Sequence, residues 1–168
     1  MVEKFKYLGK NVKIYDKTTI INKSVIEIGD FSDIADFTFI YGGKGIKIGR
    51  YCHISAFVSI IGGGELIMED YTTLAAGARI VTGTDRYQGG YRMSGVAPRE
   101  QRNTFHSIIK ICKDAFVGTN AVVHPGVIIG EGAIIGSNSL VLKDVEPWSI
   151  NVGSPCKKIG IRPKVKFN

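Results

Sequence analysis

The sequence predicts an all-β fold, a parallel β-helix with three flat faces and about six coils, and three observations carry that reading. Aliphatic residues recur every six positions over most of the chain, every third step in the N-terminal half lengthens to eight, and Gly numbers 21 of 168 residues against 5 Pro. A six-residue period drifts against the 3.6 residues of a helical turn, so no apolar stripe would form on a helix. Short strands joined by sharp corners meet the period. Each hexapeptide gives one face and one corner, its aliphatic residue points inward, and successive coils stack about 4.8 Å apart.

In chain order the N-terminal half supplies Leu8, Ile14 and Ile20, then Ile28, Ile34 and Ile40, then Ile48, Ile54 and Ile60, then Met68, Leu74 and Ile80. Leu8, Ile28, Ile48 and Met68 therefore repeat every 20 residues, and the extra pair falls in Gly-rich stretches such as Ile61-Gly62-Gly63-Gly64. One corner of each coil is thus bulged by two residues. Beyond an interruption, Ile111, Val117, Val123, Ile129, Ile135 and Val141 keep the spacing of six. Small or β-branched residues follow each by four: Ala115, Ala121, Val127, Ala133, Ser139 and Val145. Coils are expected over about 8–81 and 108–145 of one domain spanning 1–168, with an extruded loop over about 82–107 and a short C-terminal tail over 146–168.

Composition narrows the function classes. With 44% hydrophobic and 22% charged residues the chain has the make-up of a folded domain, and it lacks the strict Gly period or Pro tracts of collagen and linkers. Cys52, Cys112 and Cys156 are odd in number and lack a metal-ligand spacing, which fits a reducing compartment; Cys52 falls in an inward small-residue slot. The stretch Met1–Tyr7 has no apolar run behind its charges, and nowhere do 18 apolar residues run together. A cytoplasmic location without leader or membrane span is the expectation. The net charge of +7 has its densest cluster in Lys157, Lys158, Arg162, Lys164 and Lys166, which suits a phosphate ligand or a solvated tail. No nucleic-acid partner is expected, because no aromatic-interleaved groove or nucleic-acid motif accompanies the cations.

The run aliphatic-Gly-x-x-small-x resembles the left-handed β-helix of the hexapeptide-repeat acyltransferases over roughly residues 8–145. The resemblance implies left-handed winding, an exception to the usual crossover hand. It also implies a homotrimer with active sites between neighbouring chains, acetyl-CoA as co-substrate and no metal. The ending Lys143-Asp144-Val145-Glu146-Pro147-Trp148, followed by Val152-Gly153-Ser154-Pro155-Cys156-Lys157, is similar to the family's Lys-Asp-Val-Pro and Gly-Asn-Pro-Ala-Lys stretches. Where the family commonly has a catalytic His in a Thr-Gly-His-Pro context, this chain reads Thr82-Gly83-Thr84-Asp85-Arg86. Thr84 to Gly89 resembles instead the subgroup encoded with surface-polysaccharide genes. That resemblance implies transfer of an acetyl group to a nucleotide-linked amino sugar or a glycan hydroxyl in bacterial surface-polysaccharide biosynthesis. An antibiotic or xenobiotic O-acetyltransferase, and a non-catalytic or metal-dependent hexapeptide protein, stay open as alternatives.

Acyl transfer from a thioester needs an acceptor made nucleophilic and a place for the coenzyme. By resemblance the coenzyme contacts fall on Thr119, Ser137, Leu142, Lys143, Pro155, Lys157 and Lys158, with Arg162 standing in for a further family Arg. Four residues compete as the base: Asp85 at the loop start, His53 one residue before an inward Ile, His106 at the loop end, and His124 at a corner. Each has a plain alternative, a turn carboxylate for Asp85 and a surface or corner imidazole for the others. Asp85 and His53 form a candidate pair shared between chains, the carboxylate orienting and charging the imidazole. Ser55, Arg86, Tyr87 and Arg92 are the expected acceptor contacts.

Overall fold

The computed structural model describes residues 3–167; Met1 and Val2, part of the stretch read above for a leader, lie outside the described residues. Three parallel sheets form the walls of a prism. The first runs Tyr7–Leu8, Ile26–Ile28, Gly45–Ile48, Glu65–Met68, Ile108–Ile111, Ile128–Ile129. The second runs Lys13–Ile14, Asp33–Ile34, His53–Ile54, Thr73–Leu74, Phe116–Val117, Ile134–Ile135, Ser149–Val152 and, antiparallel to that last strand, Lys157–Ile161. The third holds Thr19–Ile21, Phe39–Tyr41, Ser59–Ile61, Arg79–Val81, Val122–Val123 and Leu140–Val141.

The register reproduces the sequence period. Leu8 lies beside Ile28, Ile28 beside Ile48 and Ile48 beside Met68, each pair 20 residues apart. Met68 lies beside Ile111 across the extruded loop, and Ile111 beside Ile129, 18 residues on. Six coils are complete. The Ile129–Val145 bridge and the pairing of Ile134 with Ile150 begin a seventh, so Ser149–Val152 in the tail continues the prism. Lys157–Ile161 then folds back over this last strand.

From Ile26 onward the expected inward aliphatic residues are buried, and so are the small slots Cys52, Ala115, Ala121, Val127, Ala133 and Ser139. The first coil departs from the expectation. Leu8 is 48% exposed, and Ile14 and Ile20 are only partly buried, because no coil lies beneath them to complete their burial.

Glycine serves the corners differently from what its abundance suggests. At the corner between first and second sheets, positive φ is carried by Asn11, Phe31, Tyr51, Tyr71, Asp114 and Trp148 as well as by Gly132. Gly29 lacks a positive φ but admits no side chain: a Cβ there would lie 2.6 Å from the carbonyl carbon of Gly49 in the next coil. Close coil-to-coil approach, more than backbone hand, fixes such glycines. The aromatic corner residues stack along the prism axis, Phe31 on Tyr51 and Tyr51 on Tyr71 with centroids 5.0 Å apart, and Phe37 on Phe57 at 5.1 Å.

Candidate active site

The chain leaves the prism after Arg79–Val81 of the third sheet and re-enters at Ile108–Ile111 of the first. The exit is tightly made. The buried Thr82 hydroxyl donates to Ile61 O at 2.8 Å and accepts from Gly64 N at 2.9 Å, while Ser107 N donates to Thr82 O at 2.9 Å. Gly83 packs backbone to backbone on Gly62, and a Cβ on it would also lie 2.6 Å from His106 Nδ1. Gly83–Asp85 then pairs antiparallel with Thr104–His106, so the loop is an ordered hairpin at its base.

Asp85 sits in that hairpin with its side chain 12% exposed. The Thr104 hydroxyl donates to Oδ1 at 2.7 Å, and Arg102 Nη2 lies 3.2 Å from Oδ1 and 3.4 Å from Oδ2. The Thr104 hydrogen bond, outweighing partial burial and helped by Arg102 and then His106, holds the carboxyl below its ordinary range. His106 Nδ1 is 2.7 Å from Gly62 O. A carbonyl only accepts, so the ring donates from Nδ1 and the neutral imidazole keeps its lone pair on Nε2. Asp85, Arg86, Tyr87, Met93, Phe105 and His124 line part of a cleft of about 650 Å³ beside the hairpin. The Arg86 guanidinium lies 4.6 Å over the Phe105 ring, Tyr87 is exposed, and Arg92 Nε is engaged by Gln101 Oε1 at 2.7 Å.

His53 stands elsewhere. It lies on the second sheet between Asp33 and Thr73, and its Nδ1 is 2.8 Å from Asp33 Oδ1, with both side chains part-exposed. Ser55 follows at the next corner, its carbonyl accepting from the Thr38 hydroxyl at 3.1 Å. The loop leaves the prism at the corner opposite this face, so one chain does not bring His53 and Asp85 together. The carboxylate that His53 meets within its own chain is Asp33, not Asp85.

At the C-terminal end Leu142, Lys143, Pro155, Lys157 and Lys158 line one groove of about 440 Å³. Lys158 Nζ is 2.6 Å from Glu146 Oε2, whereas Lys143 and Lys157 have no carboxylate within ion-pair distance among the described residues. Thr119 and Ser137 lie outside the groove, exposed and one coil apart at the corner between second and third sheets, where Asn138 N donates to Thr119 O. Arg162 is also separate. Its Nη1 donates to Asp114 O at 2.7 Å and Gly132 O at 3.1 Å, and its guanidinium lies 5.8 Å from the Trp148 ring. It ties the chain end to the prism at the corner between first and second sheets, so it does not line the groove with the other expected coenzyme contacts.

Residues 108–143 match the bacterial transferase hexapeptide (six repeats) family. A dTDP-4-amino-4,6-dideoxy-D-glucose acyltransferase from Escherichia coli is 38% identical over 161 residues, taking in 95% of this chain and 84% of that one. This chain belongs to the hexapeptide-repeat acyltransferases. The three-sheet prism is the left-handed β-helix of that family. Among solved structures, the acyltransferase superposes with a TM-score of 0.90 on AntD, an N-acyltransferase from Bacillus cereus in complex with dTDP and 3-hydroxybutyryl-CoA, at 32% identity over 95% of this chain and 84% of that one. A chloramphenicol acetyltransferase from Klebsiella aerogenes is 57% identical over 49 residues only, 29% of this chain and 23% of that enzyme.

Three residues of this acyltransferase's candidate site escape a reading of residue types: Asp33, Arg102 and Thr104. Asp33 could have been found, since it stands 20 residues before His53 in a 20-residue period. Nothing in the sequence marks Arg102 or Thr104, because the loop between them and Asp85 follows no repeat.

Proposed function

We propose that the chain is a cytoplasmic acyl-CoA-dependent N-acyltransferase, acting as a homotrimer on a nucleotide-linked amino sugar destined for a bacterial surface polysaccharide. The observation that carries this reading is likeness along nearly the whole chain, loop included, to an acyltransferase of a dTDP-linked amino sugar, where the likeness to chloramphenicol acetyltransferase stops at 49 residues. A variant of AntD in complex with dTDP-4-amino-4,6-dideoxyglucose and coenzyme A, with a TM-score of 0.91, supports the same class of acceptor and donor.

In this reading the groove of Leu142, Lys143, Pro155 and Lys157 takes the coenzyme, with the Lys143 and Lys157 ammonium groups, unpaired among the described residues, facing phosphate. The loop cleft takes the acceptor, with Arg86 and Tyr87 as contacts. The neutral amine attacks the thioester carbonyl; the C–N bond forms, the C–S bond breaks, the amine proton passes to Asp85, and Asp85 gives it up through solvent to the departing thiolate, which leaves as the thiol. Asp85 is ionised at neutral pH; the Thr104 and Arg102 contacts that hold it low also weaken it as a base, so it receives the proton once C–N bond formation has made the amine nitrogen acidic. The His53–Asp33 face completes the site from a neighbouring chain, since both lie opposite their own loop.

Acetyl-CoA incubated with a panel of nucleotide-linked amino sugars, hydroxy-sugar counterparts and chloramphenicol, read by free-thiol release and product mass, tests the assignment. Turnover with the amino sugars alone is the expected result. Absence of calorimetric binding to acetyl-CoA at millimolar concentration sinks it, and a monomer by light scattering removes the shared site.

A further inference from the structure

We infer that Arg102 is a positioning residue for this reaction: one arm of its guanidinium fixes the Asp85 carboxylate and the other fixes the loop tip, so that ordering the tip and aiming the carboxylate are one event. The inference rests on the N-acyltransferase reading above and adds a coupling between two parts of the loop. Arg102 Nη2 reaches both Asp85 oxygens, and Nη1 donates to Gly95 O at 2.8 Å. Asp85 and Gly95 are ten residues apart on the outgoing limb of the loop, and Arg102 comes from the returning limb.

The returning limb is itself held. Arg102 N donates to Arg99 O at 3.2 Å in the short turn Arg99–Gln101, and Arg92 clasps Gln101 through its backbone N–H at 2.8 Å and its Nε at 2.7 Å. The strut thus joins the carboxylate to a tip carrying Tyr87, Met93 and Gly95. Only a planar fork spans two acceptors in this way; a lysine supplies the charge at one point. Arg102 Nε is the one buried side-chain nitrogen or oxygen without a hydrogen-bond partner among the described residues. A part-buried guanidinium that leaves its Nε–H buried and unmatched has been placed for its two other contacts rather than for its own solvation.

The charged and titratable groups facing Asp85 are Arg102 and His106 on the returning limb, Arg86 beside it and His124 across the cleft. Removing Arg102 leaves the Thr104 hydroxyl as the main anchor, and the carboxyl then titrates at higher pH. The acid limb of kcat/KM for the acceptor moves the same way, since the carboxylate must be ionised to take the proton.

Carbon-13 titration of Asp85, hydrogen exchange over 86–96 and steady-state kinetics are to be compared in the whole protein, Arg102→Gln and Arg102→Lys. Arg102→Gln should raise the Asp85 titration, speed exchange at the tip, and lower kcat/KM for the acceptor about tenfold while leaving KM for acyl-CoA unchanged. Arg102→Lys should restore the low Asp85 titration but not the tip protection. Unchanged titration and exchange in Arg102→Gln overturn the strut, and so does an equal rise in both KM values, which would mean general disorder. If no acceptor is turned over by the parent protein, the functional reading fails, while titration and exchange still decide whether Arg102 couples tip and carboxylate. The loop lies outside the prism, so the variants keep their thermal transition; Thr104→Val, which removes the other anchor, should raise the Asp85 titration without loosening the tip.

Discussion

The wall of the prism and the loop it extrudes both tie an aspartate to a basic side chain, but they do so in different ways. On the wall, Asp33 meets His53 because parallel register sets residues 20 apart side by side, and both remain part-exposed. In the loop, Asp85 meets Arg102 only after the chain has doubled back through a hairpin and a turn, and the pair is more enclosed, 12% and 26% exposed. A repeat gives every outward residue a partner at no added ordering cost. A loop must order its backbone first, at about 1–2 kcal/mol per residue, and three interlocked contacts at Asp85 help to offset that cost.

Five substitutions would break or sharpen this contrast. Asp85→Asn should lower turnover by about 10²–10⁴ with the thermal transition unmoved, because it removes the proposed proton acceptor without touching the prism; unimpaired turnover on the amino-sugar panel would remove Asp85 from the chemistry. Ile54→Ala should do the reverse, lowering stability to denaturant by about 2–5 kcal/mol through a cavity in a fully buried position. Lys157→Ala should weaken acetyl-CoA binding about tenfold in calorimetry. Lys158→Ala should weaken it less, since Glu146 already engages that ammonium. Smallest is the wall pair. Asp33→Asn should change stability by about 0–1 kcal/mol at so exposed a site, so any larger fall in turnover identifies the His53 face as part of the active site.

The corner aromatics extend the comparison to packing. Tyr51 has φ of 55° and stacks on both Phe31 and Tyr71. The stack compensates a backbone hand that a bulky residue ordinarily avoids. The high Gly count pointed to corners, yet these residues turn them, because stacking of side chains in successive coils was invisible to composition.

Period alone determined the prism: the six-residue step, its lengthening to eight and the interruption after Ile80 specify the coils, the inward residues and the place of the loop, since a solenoid's contacts follow directly from spacing. The partner of His53 was implicit in the same arithmetic. The tertiary structure decided what period does not encode. It closed Asp85 onto Arg102 and Thr104, gathered Lys143 and Lys157 into one groove, and turned Arg162 away from it onto Asp114 and Gly132. It also set His53 and Asp85 on opposite sides of the chain, because side chains in a loop or a folded-back tail take their partners from where the backbone returns, and that path depends on contacts formed across the whole molecule.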